Sequence, residues 1–375
     1  MSRIARIETS LHQLTLDPPF PAAWDRRERR AFPVTVYRVF DEDGRMGVGT
    51  GDAMRGLVDY FGLFVGEEVL DLARHSAVLD NVSFFDGRPW PFEIALWDLA
   101  GKIRQEPVWR MVGGASNRIR PYASSGTHWR IDQVQDRTEA VLAAGFGALK
   151  LRFGRPSLDQ DVEVLEAVRE VAGERLDVMV DCNQGWRMPW DTHPAWTFEH
   201  ALALAKRLEA LDVYWMEEPL HRADYDGMAR LRSETPVRIA GGEMTREWYE
   251  FRTLLERGCL DVFQPDAAVT CGIEGLRHFA HEVADAGHTF SPHTWGSGIA
   301  LVANAHLTAG TVGAPYLEYP FDPPEWTAAR RDFIFAAPFE PDADGWLVLS
   351  DAPGLGVELD EARLAATRTD SASYD

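Results

Sequence analysis

Three acidic residues close three successive apolar runs in the middle of the chain: LDVMVD ends on Asp181, VYWME on Glu217 and VRIAGGE on Glu243. Each gap between them has room for one helix and two short loops, so the runs read as parallel strands of one sheet with the acids at a common end. Buried carboxylates that share a site repel one another and lose solvation, and a cation offsets both costs. All three donors are oxygens, which selects a hard ion, Mg2+, with Mn2+ as the alternative. One acid after a strand commonly caps the next helix, but three in succession fit a shared site better.

Other strand-like runs also end on polar groups. LKLRF carries Lys150 and Arg152 two residues apart, so both face one side of a strand, and the apolar neighbours Leu149, Leu151 and Phe153 argue against a surface position. His293, in FSPHTWGSG, can take and return a proton near neutral pH, which makes it the candidate base. Asp266, in FQPDAA, ends the preceding run and is placed to hydrogen-bond that imidazole and fix its tautomer. Ser124 and Ser125 close the first run and Glu318 the last. Arg152 stays protonated at any working pH, so it can grip a carboxylate or oxyanion but is a poor base. Lys150 takes protons only if its pKa falls sharply. Glu218 rivals Glu217 as a ligand, although alternation turns the two side chains apart. Asn183, two residues beyond Asp181, can point into the same cavity; His128, Trp186 and Trp295 follow strand ends and are further candidates for substrate contact.

These groups need a frame that gathers strand ends. From Ile119 onward, strands alternate strictly with amphipathic helices: strands near 119–124, 147–152, 177–181, 213–217, 237–241, 261–264, 288–291 and 316–318, helices near 131–144, 158–172, 197–209, 224–233, 246–257, 273–287 and 297–309. Eight strands and seven helices fit a closed parallel barrel, whose chemistry sits at the carboxyl ends of its strands. Upstream, residues 4–16, 33–40 and 46–52 read as strands with a DEDG turn at 41–44, and helical periodicity covers 56–79 and 91–104. The expected division is an α+β unit over 1–117, a barrel over 118–340 and a final segment over 341–375.

With 375 residues and 45% hydrophobic composition, the chain can build a sizeable core or two domains. A net charge of −21 argues against nucleic acid or an anionic membrane as partner, while a metal and a few local cations still let one cleft attract a small carboxylate. No apolar run approaches membrane-spanning length and the alternating N-terminus lacks a signal-peptide pattern, so a cytoplasmic protein is expected, as is a homo-oligomer. Cys182, Cys259 and Cys271 are too widely spaced for a disulfide frame or a zinc site.

The order Lys-x-Arg, Asp-x-Asn, Glu-Glu-Pro, Gly-Glu, Gln-Pro-Asp, Pro-His and Leu-Glu resembles the mandelate racemase subgroup of the enolase superfamily. So do EIALWDLAGK at 93–102, VGG at 112–114 and PGLGVELD at 353–360, and together the motifs cover essentially the whole chain. The resemblance implies a modified (β/α)7β TIM barrel, closed over by an α+β capping domain made of the N-terminal region and the C-terminal tail. It implies Mg2+ on Asp181, Glu217 and Glu243 with Glu218 behind them, abstraction of the proton alpha to a carboxylate through a metal-stabilised enediolate, and Glu318 as an electrophilic acid. It lays the loop Phe20–Arg30 and the turn Thr50–Arg55 over the site, which makes Phe20, Trp24, Arg26, Arg27, Arg29 and Arg30 candidates for reading the far end of the substrate. Racemases of this group carry Lys-x-Lys, the second lysine acting as a base on the face opposite the histidine; here that position is Arg152. With one clear base, β-elimination is the expected reaction: dehydration of an acid sugar, aldonate or aldarate, to a 2-keto-3-deoxy acid. The alternatives are a racemase or epimerase of a 2-hydroxy acid, a cycloisomerase of a sugar lactone, and a non-catalytic metabolite-binding barrel.

Overall fold

A computed structural model of the chain describes residues 2–51 and 55–375, so residues 52–54 of the expected turn Thr50–Arg55 lie outside the described residues. One eight-stranded sheet holds, as the first to eighth barrel strands, Pro121–Ser124, Ala148–Arg152, Asp177–Asp181, Trp215–Glu217, Arg238–Gly241, Val262–Phe263, Thr289–Phe290 and Leu317–Pro320. Pairing runs from the seventh strand down to the first and then to the eighth, so the sheet curls into the expected barrel. Between the seventh and eighth strands side chains take over from the ladder: Ser291 Oγ donates to Tyr316 O at 2.8 Å and Thr294 Oγ1 to Glu318 O at 2.6 Å. The strand expected at 119–124 divides, because Arg118–Ile119 pairs antiparallel with Leu347–Val348; Pro121, which has no N–H to donate, marks the break.

The two-residue pleat sorts the barrel side chains into separate clusters. Ala148, Met179, Trp215, Ala240 and Val262 point inward with Tyr122, whereas Leu149, Leu151, Val178, Val180, Met216, Ile239 and Phe263 pack outward in the main core. Both rows are buried, which is why the strands read as continuous apolar runs. One pleat above the inward plug come Lys150, Asp181, Glu217 and Gln264, so the same periodicity that fills the barrel also aims the polar groups. Register sets Arg152 beside Asp181 and Asp181 beside Glu217. The helices after the second, third and fourth strands begin on Ser157, Thr197 and Asp224, whose side chains accept from the backbone N–H groups of Gln160, His200 and Gly227.

The first two upstream strands extend beyond their alternating stretches. Ile4–Phe20, Arg29–Asp41 and Met46–Gly51 form an antiparallel sheet, and Arg368–Tyr374 from the far end of the chain is its outer strand. The helix expected over 56–79 is instead a 3-10 segment, Arg55–Leu63, and a helix, Leu72–Asp86, separated by Gly66 at φ 85. Helix Trp90–Arg104 lies directly on the third cap strand because Gly47 and Gly49 leave room. A Cβ there would meet Ala95 O at 2.1 Å and Pro91 O at 2.0 Å. Asp98 of that helix accepts from Val48 N and Leu355 N, each at 2.8 Å, and so joins the cap sheet to the returning tail. No helix among the described residues is long and apolar enough to cross a membrane.

Candidate active site

Asp181 and Glu217 end the third and fourth barrel strands, and Glu243 stands two residues past the fifth, after Gly242 at φ 112. Their ligand oxygens lie within 4.8 Å of one another and all three residues are buried. Trp186 Nε1 donates to Glu243 Oε1 at 2.6 Å, while Glu243 Oε2 is buried with no hydrogen-bond partner. Burial pushes the Glu217 carboxyl up to about 8, Asp181, Glu318 and Glu243 adding to the effect and Lys150 opposing it. Burial likewise raises Glu243. Oxygen donors only, mutual repulsion and an orphaned oxygen are what a hard divalent cation satisfies, so the residues present fit Mg2+.

Two cations from the second strand press against this group. Lys150 Nζ lies 2.6 Å from Glu217 Oε1, 2.7 Å from Glu318 Oε1 and 3.6 Å from Asp181 Oδ2. Burial alone would lower the lysine, but Glu217 and Glu318 overcome it and hold the ammonium above its usual value. Arg152 pairs with Asp181, donates through Nε to Ser125 O at 2.7 Å, and reaches Ser124 Oγ at 3.2 Å. Glu318, the expected electrophilic acid, sits among cations and donors. Despite burial, Lys150, His293 and Arg152 hold its carboxyl well below the usual range. Ser124 Oγ and Thr294 N donate to it at 2.6 and 2.8 Å. These contacts fix the Glu318 carboxyl beside Lys150.

Facing the acids is the expected pair from the sixth and seventh strands. His293 Nδ1 and Asp266 Oδ2 are 3.0 Å apart, and Nε2 points the other way, 3.4 Å from Glu243 Oε2. Burial disfavours the imidazolium, but Glu243, Glu318 and Asp266 outweigh it and raise His293 to about 10; a cation held by Glu243 would cancel the first of these pulls and return the imidazole towards its neutral form. Arg152, Glu243, Asp266 and His293 line a cavity of about 470 Å³, walled by Trp24, Trp186, Trp190, Trp295 and Trp326. Asn183 also lines it, at φ 49, a left-handed conformation that is uncommon for a residue with a side chain.

Several expected contacts fall elsewhere. Glu218 also takes a positive φ, 45, and this kink turns its carboxyl under Gly185, where a Cβ would meet Oε1 at 2.1 Å; it neither joins the three acids nor lines the cavity. His128 is drawn away with its loop, in which Gly126 N, Thr127 N and Trp129 Nε1 all donate to Asp322, and its Nε2 lies 3.4 Å from Phe153 O. Phe20 is fully buried behind Trp24 and Trp295, at centroid distances of 6.0 and 5.8 Å. Of the arginines in that loop only Arg29 lines the cavity; Arg26 pairs with Asp191, Arg27 lies over Trp190 and Arg30 pairs with Glu28. Two residues went unread in the sequence. Gln264, inside the Gln-Pro-Asp motif and in phase with the acids, donates to Glu217 Oε2 at 2.7 Å. Asn304, which donates to Asp266 Oδ1 at 2.9 Å, is a lone amide in an otherwise apolar stretch, and that isolation was the available signal.

The model of the enolase C-terminal domain-like family matches residues 133–363. The chain is 30% identical over 306 residues to arabinonate dehydratase of Saccharolobus solfataricus, across 81% of this chain and 76% of that one. It is 28% identical over 386 residues to D-galactarolactone cycloisomerase of Agrobacterium fabrum, across 98% and 99%. In structure it matches L-talarate/galactarate dehydratase of Salmonella typhimurium LT2, liganded with Mg and L-lyxarohydroxamate, with a TM-score of 0.86 and 26% identity across 100% of this chain and 94% of that one. The family match takes in all of the charged barrel residues described above, from Lys150 to Glu318, and the chain belongs to the enolase C-terminal domain-like family.

Proposed function

We propose that this chain is a Mg2+-dependent lyase that removes water from an acid sugar, an aldonate or aldarate, to give a 2-keto-3-deoxy acid. The asymmetry of the site carries the reading. His293 on Asp266 is a base on one side, and Lys150 and Arg152 on the other are cations held in ion pairs. Dehydratases among the similar proteins support it. Asp181, Glu217 and Glu243 would hold Mg2+, which when bound supplies positive charge to the substrate carboxylate.

The chain's own groups then divide the work. Asp266 keeps the Nδ1 proton of His293 engaged, which leaves Nε2 to take the proton alpha to the carboxylate. Arg152, charged at any working pH, keeps positive charge beside the acids. The imidazolium returns its proton to the β-hydroxyl as the C–O bond breaks, so the α-proton and the hydroxyl leave as water. The enol that remains tautomerises to the 2-keto acid. Racemisation would need a proton-free base opposite His293, and the guanidinium of Arg152, which stands where a second base would, stays protonated at any working pH. Cycloisomerisation needs only the same base and acid, and the indole walls, flat faces suited to a sugar ring, favour it as the second reading. We further propose a cytoplasmic homo-oligomer with a small carboxylate, not nucleic acid, as its ligand.

The test is a panel of mono- and diacid sugars and their lactones with Mg2+, scored for 2-keto acid formation and for ring opening or closure. At least one acid sugar should yield a 2-keto acid, and chelation of the metal should stop it. Interconversion of epimers without loss of water would overturn the dehydratase reading.

A further inference from the structure

We propose that Asn304 is a positioning residue for the base. It clamps the loops that carry Asp266 and His293 so that the imidazole keeps its Nδ1 proton on Asp266 and presents Nε2 to the substrate. The sixth and seventh strands pair only through Val262 with Thr289 and Phe263 with Phe290. Asp266 and His293 both lie past the end of that ladder, where backbone bonds from Ser291 N to Phe263 O (2.9 Å) and from His293 N to Pro265 O (3.2 Å) are the last cross-links. Their relative orientation needs a further tie.

Asn304 supplies it from helix Gly298–Ala309. That helix is buried from Gly298 to Thr308, and Asn304 is 0% exposed, so its amide costs several kcal/mol unless hydrogen-bonded. Nδ2 donates to Asp266 Oδ1 at 2.9 Å and to the carbonyls of His293 and Ala300 at 3.2 Å, while Oδ1 accepts from Ala267 N at 2.9 Å. The orientation of the amide is fixed by its neighbours. Turned over, its oxygen would face a carboxylate and two carbonyls, and its NH2 would face the Ala267 N–H. One side chain thus holds the backbone beside the acid, the acid itself and the backbone of the base. With Asn304 and Ala268 N (2.8 Å) on Oδ1, Asp266 is left with Oδ2 for the ring. The inference rests on the reading of His293 as the base.

The test needs no substrate. In Mg2+-loaded protein carrying 15N-labelled histidine, a hydrogen-bonded Nδ1–H resonance should be present and should vanish in His293→Asn, which assigns it. In Asn304→Leu, and in the near-isosteric Asn304→Asp that sets a carboxylate against Asp266, this resonance should shift or exchange away while the other histidine signals and the unfolding temperature hold. The same resonance unmoved in both variants overturns the proposal. So does its loss only together with the other histidine signals, which marks general loosening. On an acid consumed in the panel above, kcat should fall about 10- to 100-fold with KM within about twofold. If that panel finds no acid consumed, the proposed reaction fails, while the Nδ1–H result still decides the role of Asn304.

Discussion

Arg152 and Trp24 meet at the cavity, the guanidinium 4.8 Å from the indole centroid, and they arrive there by different routes. Arg152 is the last residue of a barrel strand, fixed by register beside Asp181 and by ion pairs with its neighbours. Trp24 stands in the connection between two cap strands. There Asp25 accepts from Arg27 N, and Trp190 Nε1 reaches it at 3.0 Å from a loop of the barrel. The barrel side is held by the pleat and by charge; the cap side is held by loops docked on loops. The polar groups therefore sit on the rigid strand ends, and the indole that the cap adds to the wall sits on a loop that can vary without disturbing them.

That contrast predicts kcat effects from the barrel and KM effects from the cap. The largest loss is expected in His293→Asn, where exchange of the α-proton with deuterated solvent and elimination of water should disappear together, by up to about 10,000-fold in kcat. Elimination surviving without exchange would break the assignment of the base. Next, Glu243→Gln should weaken Mg2+ binding measured by calorimetry about 10- to 100-fold or more, since it removes one of the three acids and leaves the Trp186 contact in place. Unchanged metal affinity would remove Glu243 from the ligand set. Arg152→Lys should cut dehydration about 10-fold by breaking the fork on Asp181 and Ser125 O, and should begin to exchange the α-proton of the opposite enantiomer, detectable by NMR. Trp24→Ala, on the cap side, should raise KM about 10-fold and leave kcat within about twofold. A loss confined to kcat would erase the division between the two sides.

The smallest effect concerns how cap and barrel stay joined. His306, two residues on from Asn304, bonds Leu355 O of the tail at 3.2 Å, and Leu355 N bonds Asp98 of the cap. Burial lowers its imidazole from 6.5 to about 4. The folded state keeps it neutral while the unfolded chain protonates below about 6.5. The contribution is thus complete above pH 6.5 and is lost as pH falls towards 4, by up to about 3 kcal/mol. In urea titrations His306→Gln should flatten the acid side of the stability profile between those values and leave turnover at pH 7.5 unchanged. An acid limb as steep as the parent's would show that other groups set it.

Apolar runs closed by acids, the imidazole and aspartate on adjacent strands, and the strict alternation of strand and helix are local or periodic signals, and they sufficed for the barrel and for which groups its strand ends present. They succeed because the pleat fixes where every second side chain points, whatever else the chain does. Folding alone decided which partners those groups meet. Lys150 gained its two nearest carboxylates because Glu217 and Glu318, far apart in the chain, close on it from two strands. Glu318 met Lys150 and Ser124 in the same way, and His128 left the site because Asp322 holds its loop. Arg29 alone among its neighbouring arginines faces the cavity, and Asn304 touches Asp266 across a helix-to-loop contact that no period encodes. Charge state and contact depend on what is near in space, and loops carry no repeat from which that nearness can be read.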